Sequence, residues 1–157
     1  MKTSVEVLIV DDDDLIRDNL GSILERSGFQ VITAANGQQA LEILAKQRPD
    51  ILVLDVLMPN MNGRDLLRQL RQKSDWLPVI MLTQVGDAAE RAMALEEGAD
   101  DYINKPFDIH ELIARIKTVL RRIQVGQPPP DCGTETSAVG IWCWIGPHGV
   151  FSSGIKK

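Results

Sequence analysis

The segment DILVLD at residues 50–55 decides the fold class, because four consecutive apolar residues lie between its two aspartates. The segment PVIMLT at residues 78–83 is also apolar without polar alternation. Such strands are typical of a parallel sheet that helices cover on both faces. Outward from these two runs, short β-branched segments alternate with longer stretches of helical spacing up to about residue 124. This alternation predicts successive βα units and an α/β fold.

We predict five strands with helices between them, and the strands are Val5–Val10, Gln30–Ala34, Asp50–Asp55, Pro78–Thr83 and Asp100–Asn104. The last helix is the clearest, because its apolar residues follow the three-and-four spacing of one buried stripe. That stripe consists of Leu112, Ile113, Ile116, Val119, Leu120 and Ile123. Five strands and five helices fit within residues 1–124, which we assign to a single domain.

The composition is that of a folded protein, with 44% hydrophobic and 25% charged residues in a chain of 157. A formal net charge of -5 leaves no basic surface for DNA or for an anionic membrane, so we expect neither partner. We see no signal peptide and no transmembrane stretch. The only cysteines, Cys132 and Cys143, lie in the last fifth of the chain. These features favour a cytoplasmic location.

Residues 125–157 differ in composition from the rest of the chain. They hold half of the glycines, half of the prolines, both cysteines and two of the three tryptophans. Three consecutive prolines at 128–130 predict an extended spacer. The apolar run at 141–145 is too short to be buried independently. We predict a Pro/Gly-rich linker and a tail that is disordered or non-native.

The chemistry is predicted from polar residues at the strand ends, which converge on one edge of a parallel sheet. The first strand ends at Asp11 and Asp12, the third at Asp55, the fourth at Thr83 and the fifth at Lys105. Clustered carboxylates repel one another unless a cation neutralises them. Oxygen ligands without histidine favour Mg²⁺, with Mn²⁺ as the alternative. Asp55 could then act as a nucleophile that forms an aspartyl phosphate, with Thr83 and Lys105 holding its oxygens.

Each of these residues also has a purely structural explanation. Asp13 and Asp14 precede a helical pattern, and one or both are expected to cap it or to interact with its dipole. Asp55 alone would be a polar residue at a strand end, and Thr83 alone a β-branched strand residue. Lys105 would belong to a turn at the following proline, where a cis peptide bond is more frequent than elsewhere. The functional interpretation therefore rests on their shared position at the strand ends.

The sequence resembles the receiver domain of two-component response regulators over residues 4–123. Four motifs carry the resemblance, VLIVDDDD at 7–14, ILVLDVLMPNMNG at 51–63, VIMLT at 79–83 and GADDYINKPF at 98–107. It implies a doubly wound (βα)5 sandwich of the flavodoxin-like, CheY-like kind, with a parallel sheet of order 2-1-3-4-5. It also implies that Asp11 and Asp12 are the metal-binding pair, that Asp55 is the phosphoacceptor and that Leu57 offers its backbone carbonyl to the metal. Thr83 would be the switch hydroxyl, Tyr102 the switch aromatic residue and Lys105 the phosphate-binding lysine.

The resemblance further implies that a sensor histidine kinase phosphorylates Asp55, and that Thr83 and Tyr102 then move inward. Such a population shift reshapes the face made by the fourth helix, the fifth strand and the fifth helix. Residues 105–122 resemble the OmpR/PhoB subfamily, whose phosphorylated members form a homodimer through this face and control transcription. The matching charged residues are Arg91, Asp100, Asp101, Glu111, Arg115 and Arg122. The alternative is that they are solvated surface charges, whose pairs are usually weak.

The chain also departs from the family pattern. Gln84 stands where a small residue is usual, and Leu57 and Val85 are apolar at the two positions that tune hydrolysis in the family. Since neither can hold an attacking water, we predict slow loss of the phosphoryl group. The winged-helix DNA-binding domain of the subfamily, which needs about a hundred residues, is not recognisable in residues 125–157. We therefore expect a truncated regulator that does not bind DNA directly.

Two other functions are considered. A haloacid-dehalogenase-like phosphatase would use Asp11 as its nucleophile and Asp13 as its acid, but this leaves Asp55 and the KPF segment unexplained. A receiver-like module that is never phosphorylated is disfavoured by the complete set of residues at the strand ends. We expect a signalling domain rather than an enzyme, one that catalyses only its own phosphorylation and dephosphorylation.

Overall fold

A computed structural model describes residues 4–73, 76–84, 92 and 96–125 of the chain. Its elements are β1 (Glu6–Val10), α1 (Asp14–Arg26), β2 (Gln30–Ala34), α2 (Gly37–Lys46), β3 (Ile51–Asp55), α3 (Gly63–Gln72), β4 (Val79–Gln84), β5 (Asp101–Lys105) and α4 (Ile109–Val125). Helix α4 corresponds to the fifth helix expected from the sequence. The predicted fourth helix falls mainly outside the described residues. Of the linker and tail predicted over residues 125–157, Val125 is the last residue of α4 and the rest lies outside the described residues.

All five strands are parallel and form one sheet of order β2-β1-β3-β4-β5, which confirms the predicted topology. The predicted strands match to within one residue at each end. The prediction for the fifth strand is one residue too early. Lys105 still pairs with Gln84, whereas Asp100 turns its carboxylate back to accept a hydrogen bond from the Val79 N–H at 2.9 Å.

The core consists of two apolar clusters, one on each face of the sheet. On one face Leu52 and Leu54 of β3 are buried in a cluster with Leu66 and Leu67 of α3. On the other face a second cluster joins the sheet to α1 and α4. Both faces are therefore covered, as the unbroken apolar strands predict. The buried stripe of α4 ends before Ile123, which is 52% exposed because it lies beyond the edge of the sheet cluster.

The loop that follows β1 is fixed by helix capping. The Asp13 carboxylate accepts hydrogen bonds from the backbone N–H groups of Leu15 and Ile16, which confirms the predicted capping role. Arg17 donates a hydrogen bond from Nη1 to the backbone oxygen of Asp11 at 2.6 Å. These bonds hold the start of α1 directly behind the acidic residues at the end of β1. None of the helices in the described ranges combines the length and apolarity needed to cross a bilayer.

Candidate functional site

Three carboxylates meet at the carboxyl edge of the sheet. Asp11 and Asp12 follow β1 and Asp55 ends β3, and these two strands are neighbours that pair Val10 with Leu54. One oxygen of each carboxylate lies within 4.8 Å of the others. Asp11 is 1% exposed and Asp55 4% exposed, whereas Asp12 is open to solvent. The structure thus brings together the three acidic side chains that the sequence predicts for a cation.

Lys105 supplies the positive charge of this cluster from the end of β5. Its Nζ donates a hydrogen bond to Asp11 Oδ2 at 2.8 Å and lies 3.4 Å from Asp55 Oδ1. Burial alone would lower the pKa of Lys105, but the hydrogen bond to Asp11 and the charges of both aspartates outweigh it and raise the pKa. The ammonium group is therefore held in its charged form. The Lys105–Pro106 peptide bond is cis.

The Asp55 carboxylate is incompletely satisfied. Its Oδ1 is buried and has no hydrogen-bond partner in the described part of the chain, although the Lys105 ammonium lies nearby. Burial raises the pKa of Asp55, the Asp11 charge adds to this effect, and Lys105 and the Leu57 N–H oppose it. A buried acceptor without a donor is rare in folded proteins. A cation bound by oxygen ligands would satisfy it, so these residues fit a divalent metal.

The loop after Asp55 is held tightly against β3. Gly63, the first residue of α3, donates a hydrogen bond from its N–H to the Val56 oxygen at 3.0 Å. A β-carbon at Gly63 would lie only 2.1 Å from the backbone oxygen of Asp55. Asn60, within this loop, has a positive φ of 70°. Gly63 has no role predicted from the sequence, where its only signal is its position as the last residue of the motif that begins at Ile51.

Leu57 lies in the same loop, next to the acidic cluster. Its side chain is 56% exposed and apolar, and its backbone N–H lowers the pKa of Asp55. Of the two residues predicted to slow hydrolysis, Leu57 is therefore placed beside Asp55. Val85 lies outside the described residues.

Thr83 and Tyr102 lie on the two strands at the other end of the sheet. Thr83 is 5% exposed, and its Oγ1 donates a hydrogen bond to Asn104 Oδ1 at 3.0 Å. Tyr102 is half-buried against the core cluster on the α3 side of the sheet. Asn104 has no role predicted from the sequence, where its only signal is a polar side chain next to Lys105.

The charged residues predicted for a dimer face separate into groups. Arg115 donates two hydrogen bonds to Asp101 at 2.9 and 3.0 Å and two more to Glu111 at 3.0 and 3.1 Å. The Asp100 carboxylate instead contacts Arg71 and the Val79 N–H inside the fold. The half-buried Arg122 acts on Asp100 through its charge. Arg91 falls outside the described residues.

A five-stranded doubly wound sheet whose carboxyl edge joins an acidic cluster, a threonine and a lysine defines a receiver-type signalling domain. The family profile of the response regulator receiver domain matches residues 7–117. The chain belongs to this family, and the match does not favour the phosphatase alternative.

Individual proteins agree with this assignment. The chain is 43% identical to the response regulator MprA of Mycolicibacterium vanbaalenii over 134 residues, and this alignment covers 85% of this chain and 56% of that protein. It is 46% identical to the response regulator MprA of Mycobacterium bovis over 136 residues, and this alignment covers 87% of this chain and 57% of that protein. The chain thus spans little more than half the length of these relatives.

Solved structures show the same fold. The receiver domain of the Francisella response regulator 1452 superposes with a TM-score of 0.74 at 33% identity, covering 76% of this chain and 99% of that one. A CheY-like receiver domain protein of Methanospirillum hungatei superposes with a TM-score of 0.74 at 30% identity, covering 79% of this chain and 99% of that one.

Proposed function

We propose that Asp55 accepts a phosphoryl group from the phosphohistidine of a sensor histidine kinase. The observation that carries this proposal is the buried Asp55 oxygen, which makes no hydrogen bond to the described residues and has the ammonium of Lys105 nearby, at 3.4 Å. In the reaction a carboxylate oxygen of Asp55 attacks phosphorus, and the P–O bond forms as the P–N bond breaks. The electron pair of the P–N bond stays on the imidazole nitrogen.

The acidic cluster would hold Mg²⁺, or Mn²⁺ as the alternative, through Asp11, Asp12, Asp55 and the backbone carbonyl of Leu57. When bound, the ion neutralises charge that builds up on the phosphoryl oxygens. Asp12 is exposed, so its carboxylate can adjust to an ion without rearranging the core. Asp11 is fixed by its hydrogen bond to the Asp13 N–H at 2.9 Å and by Lys105.

Lys105 and Thr83 would bind the oxygens of the phosphoryl group after transfer. Lys105 Nζ is already within 3.4 Å of both the Asp11 and the Asp55 carboxylates, so it can move to a phosphoryl oxygen on Asp55 with little displacement. Its raised pKa keeps the ammonium charged for this contact. Thr83 has a hydroxyl proton to donate once it leaves Asn104.

An apolar surface next to the cluster supports a protein donor. Leu15, at the start of α1, is 73% exposed, and the next residue, Ile16, lines a cavity of about 450 Å³ together with Lys105 and Phe107 among others. Exposed apolar residues grouped around a charged centre are typical of a protein interaction site. We therefore place the kinase against α1 and the loop after β5.

Phosphorylation would shift Thr83 and Tyr102 and so change the face formed by β5, α4 and the predicted fourth helix. Pairing of two copies through this face would require Arg115 to exchange its intrachain contacts with Asp101 and Glu111 for the same groups of a second copy. The Arg115–Glu111 pair is exposed and therefore weak, whereas the Arg115–Asp101 pair is partly buried and would oppose the exchange more strongly. The weakness of the exposed pair fits the alternative of solvated surface charges.

The domain bounds, the location and the absence of DNA binding also stay predictions. We predict a receiver domain over residues 1–124 and a linker and tail over 125–157. We also predict a cytoplasmic location and no direct DNA contact by this chain. Control of transcription would belong to a phosphorylated dimer of a longer regulator.

Intact-mass analysis tests the proposal directly. The chain is incubated with Mg²⁺ and phosphoramidate, a small donor with a P–N bond, and compared with Asp55→Asn. We expect one phosphoryl adduct that Asp55→Asn lacks, while Asp18→Asn, an exposed carboxylate outside the cluster, keeps it. An adduct that persists in Asp55→Asn and disappears in Asp11→Asn would contradict the proposal and restore the phosphatase alternative.

A further inference from the structure

The hydroxyl of Thr83 has a single proton, and Asn104 accepts it. Thr83 and Asn104 face each other across β4 and β5, and the Oγ1 to Oδ1 distance is 3.0 Å. Because Thr83 is 5% exposed, water hardly competes for this bond. A hydroxyl donates only one hydrogen bond. Donation to Asn104 and donation to a phosphoryl oxygen on Asp55 therefore exclude each other.

We infer that Asn104 is a positioning residue that holds the Thr83 hydroxyl in its resting orientation and thereby limits how readily the domain switches. The inference rests on the proposed function, since the competing acceptor is a phosphoryl group on Asp55. β4 lies between β3 and β5 in the sheet. Asp55 pairs with Leu82, and Thr83 is the next residue toward the carboxyl edge. The hydroxyl thus has the phosphoacceptor strand on one side and Asn104 on the other.

Asn104 also lies next to both residues that are proposed to move. It stands two positions after Tyr102 on β5, so both side chains project from the same face of the sheet. When the Thr83 hydroxyl turns away, Asn104 Oδ1 loses its donor in a half-buried setting. The loss of this hydrogen bond opposes switching, so Asn104 raises the free energy of the switched state relative to the resting state.

The test measures binding of beryllium fluoride, a mimic of the phosphoryl group, to the full chain at saturating Mg²⁺. Binding is followed by the amide resonances of β3 in four proteins: native, Asn104→Val, Thr83→Val and the double variant. Valine suits a strand position and lacks the acceptor. A neutral hydrogen bond corresponds to a factor of about two to twelve in an equilibrium constant. We expect Asn104→Val to bind tighter by this factor, and to change nothing when Thr83 is already valine.

A merely structural role for Asn104 would change affinity equally with and without the Thr83 hydroxyl, and this result would overturn the inference. Unchanged or weaker binding by Asn104→Val would overturn it too, while leaving the proposed function intact. Asn104→Ala, which removes the acceptor without adding apolar bulk, must show the same sign, so the test survives if the valine variant fails to fold. If the native chain does not bind beryllium fluoride, or binds it equally in Asp55→Asn, the proposed function itself is wrong.

Discussion

Replacing Gly63 with alanine is expected to impair phosphorylation more than it impairs folding. The new β-carbon would lie 2.1 Å from the backbone oxygen of Asp55 and 3.0 Å from its carbonyl carbon. Since real β-carbons essentially never approach another heavy atom within 3.0 Å, α3 and the end of β3 must move apart by about 1 Å. Both atoms belong to the backbone, so no flexible side chain can absorb the movement. The displacement therefore acts on the residue that is proposed to attack phosphorus.

The magnitude follows from two effects. Overpacking of a buried position costs about 1 to 3 kcal/mol of stability. A misplacement of about 1 Å in a reacting group can slow a reaction by about 10²-fold. We expect a loss of stability within that range in urea unfolding, and a phosphorylation rate with phosphoramidate and Mg²⁺ that falls by about two orders of magnitude in a time course of intact mass.

Gly21→Ala provides the matched control. Gly21 is also buried and helical, but the nearest atom to its added β-carbon would be Val31 Cγ1 at an ordinary 3.7 Å. Alanine at this position should stabilise α1 by up to about 1 kcal/mol and leave phosphorylation unchanged. If Gly63→Ala is phosphorylated within twofold of the native rate, the displacement does not reach Asp55 and the reasoning is refuted.

Three further predictions concern charges and hydrolysis. Lys105→Met should bind Mg²⁺ more tightly in titration calorimetry, because Asp11 loses the ammonium group 2.8 Å away, yet it should be phosphorylated more slowly; weaker Mg²⁺ binding would contradict this. Burial raises the pKa of Asp100 above its ordinary 3.8, so the unfolded chain releases this proton first, and stability falls as pH rises through the window from 3.8 up to the folded-state pKa. Asp100→Asn lacks this loss, so its free energy of unfolding relative to the native chain should increase with pH across that window in urea titrations, and a difference independent of pH would contradict the assignment. Leu57→Asn places an amide beside Asp55 that can hold a water, so the variant should lose its phosphoryl group faster than the native chain after the donor is removed, and equal lifetimes would count against the role of Leu57.

The sheet and the cluster at its edge could be predicted because both follow from local patterns. Apolar runs without alternation indicate buried parallel strands, and parallel strands bring their carboxyl ends together whatever the loops do. The positions of Asp11, Asp55 and Lys105 follow from this alone. The sequence does not reveal which hydrogen-bond partner a polar side chain has at the edge of the sheet. Asp100 is one of several acidic residues before β5, and only the fold shows that its carboxylate accepts a hydrogen bond from the Val79 N–H.

The roles of Gly63 and Asn104 likewise cannot be predicted from the sequence. A glycine at a helix start is common, and its reason here is the approach of a backbone oxygen that lies eight positions earlier in the chain. The partner of Asn104 lies 21 residues away on another strand. Register between β4 and β5 decides that contact, because a shift of one residue would put the two side chains on opposite faces of the sheet. Such contacts depend on register and loop geometry, which composition and spacing do not specify.

Strand β5 links the proposed chemistry to the predicted output face. It carries Lys105 at the acidic cluster, Asn104 against the Thr83 hydroxyl and Asp101 against Arg115 of α4. In the described sheet β5 is an edge strand that pairs only with β4. It can therefore shift without breaking a second ladder, unlike β3, which is held on both sides. A change in the partner of Thr83 thus acts on a strand that is held by one ladder only, three residues from the ion pair that joins β5 to α4.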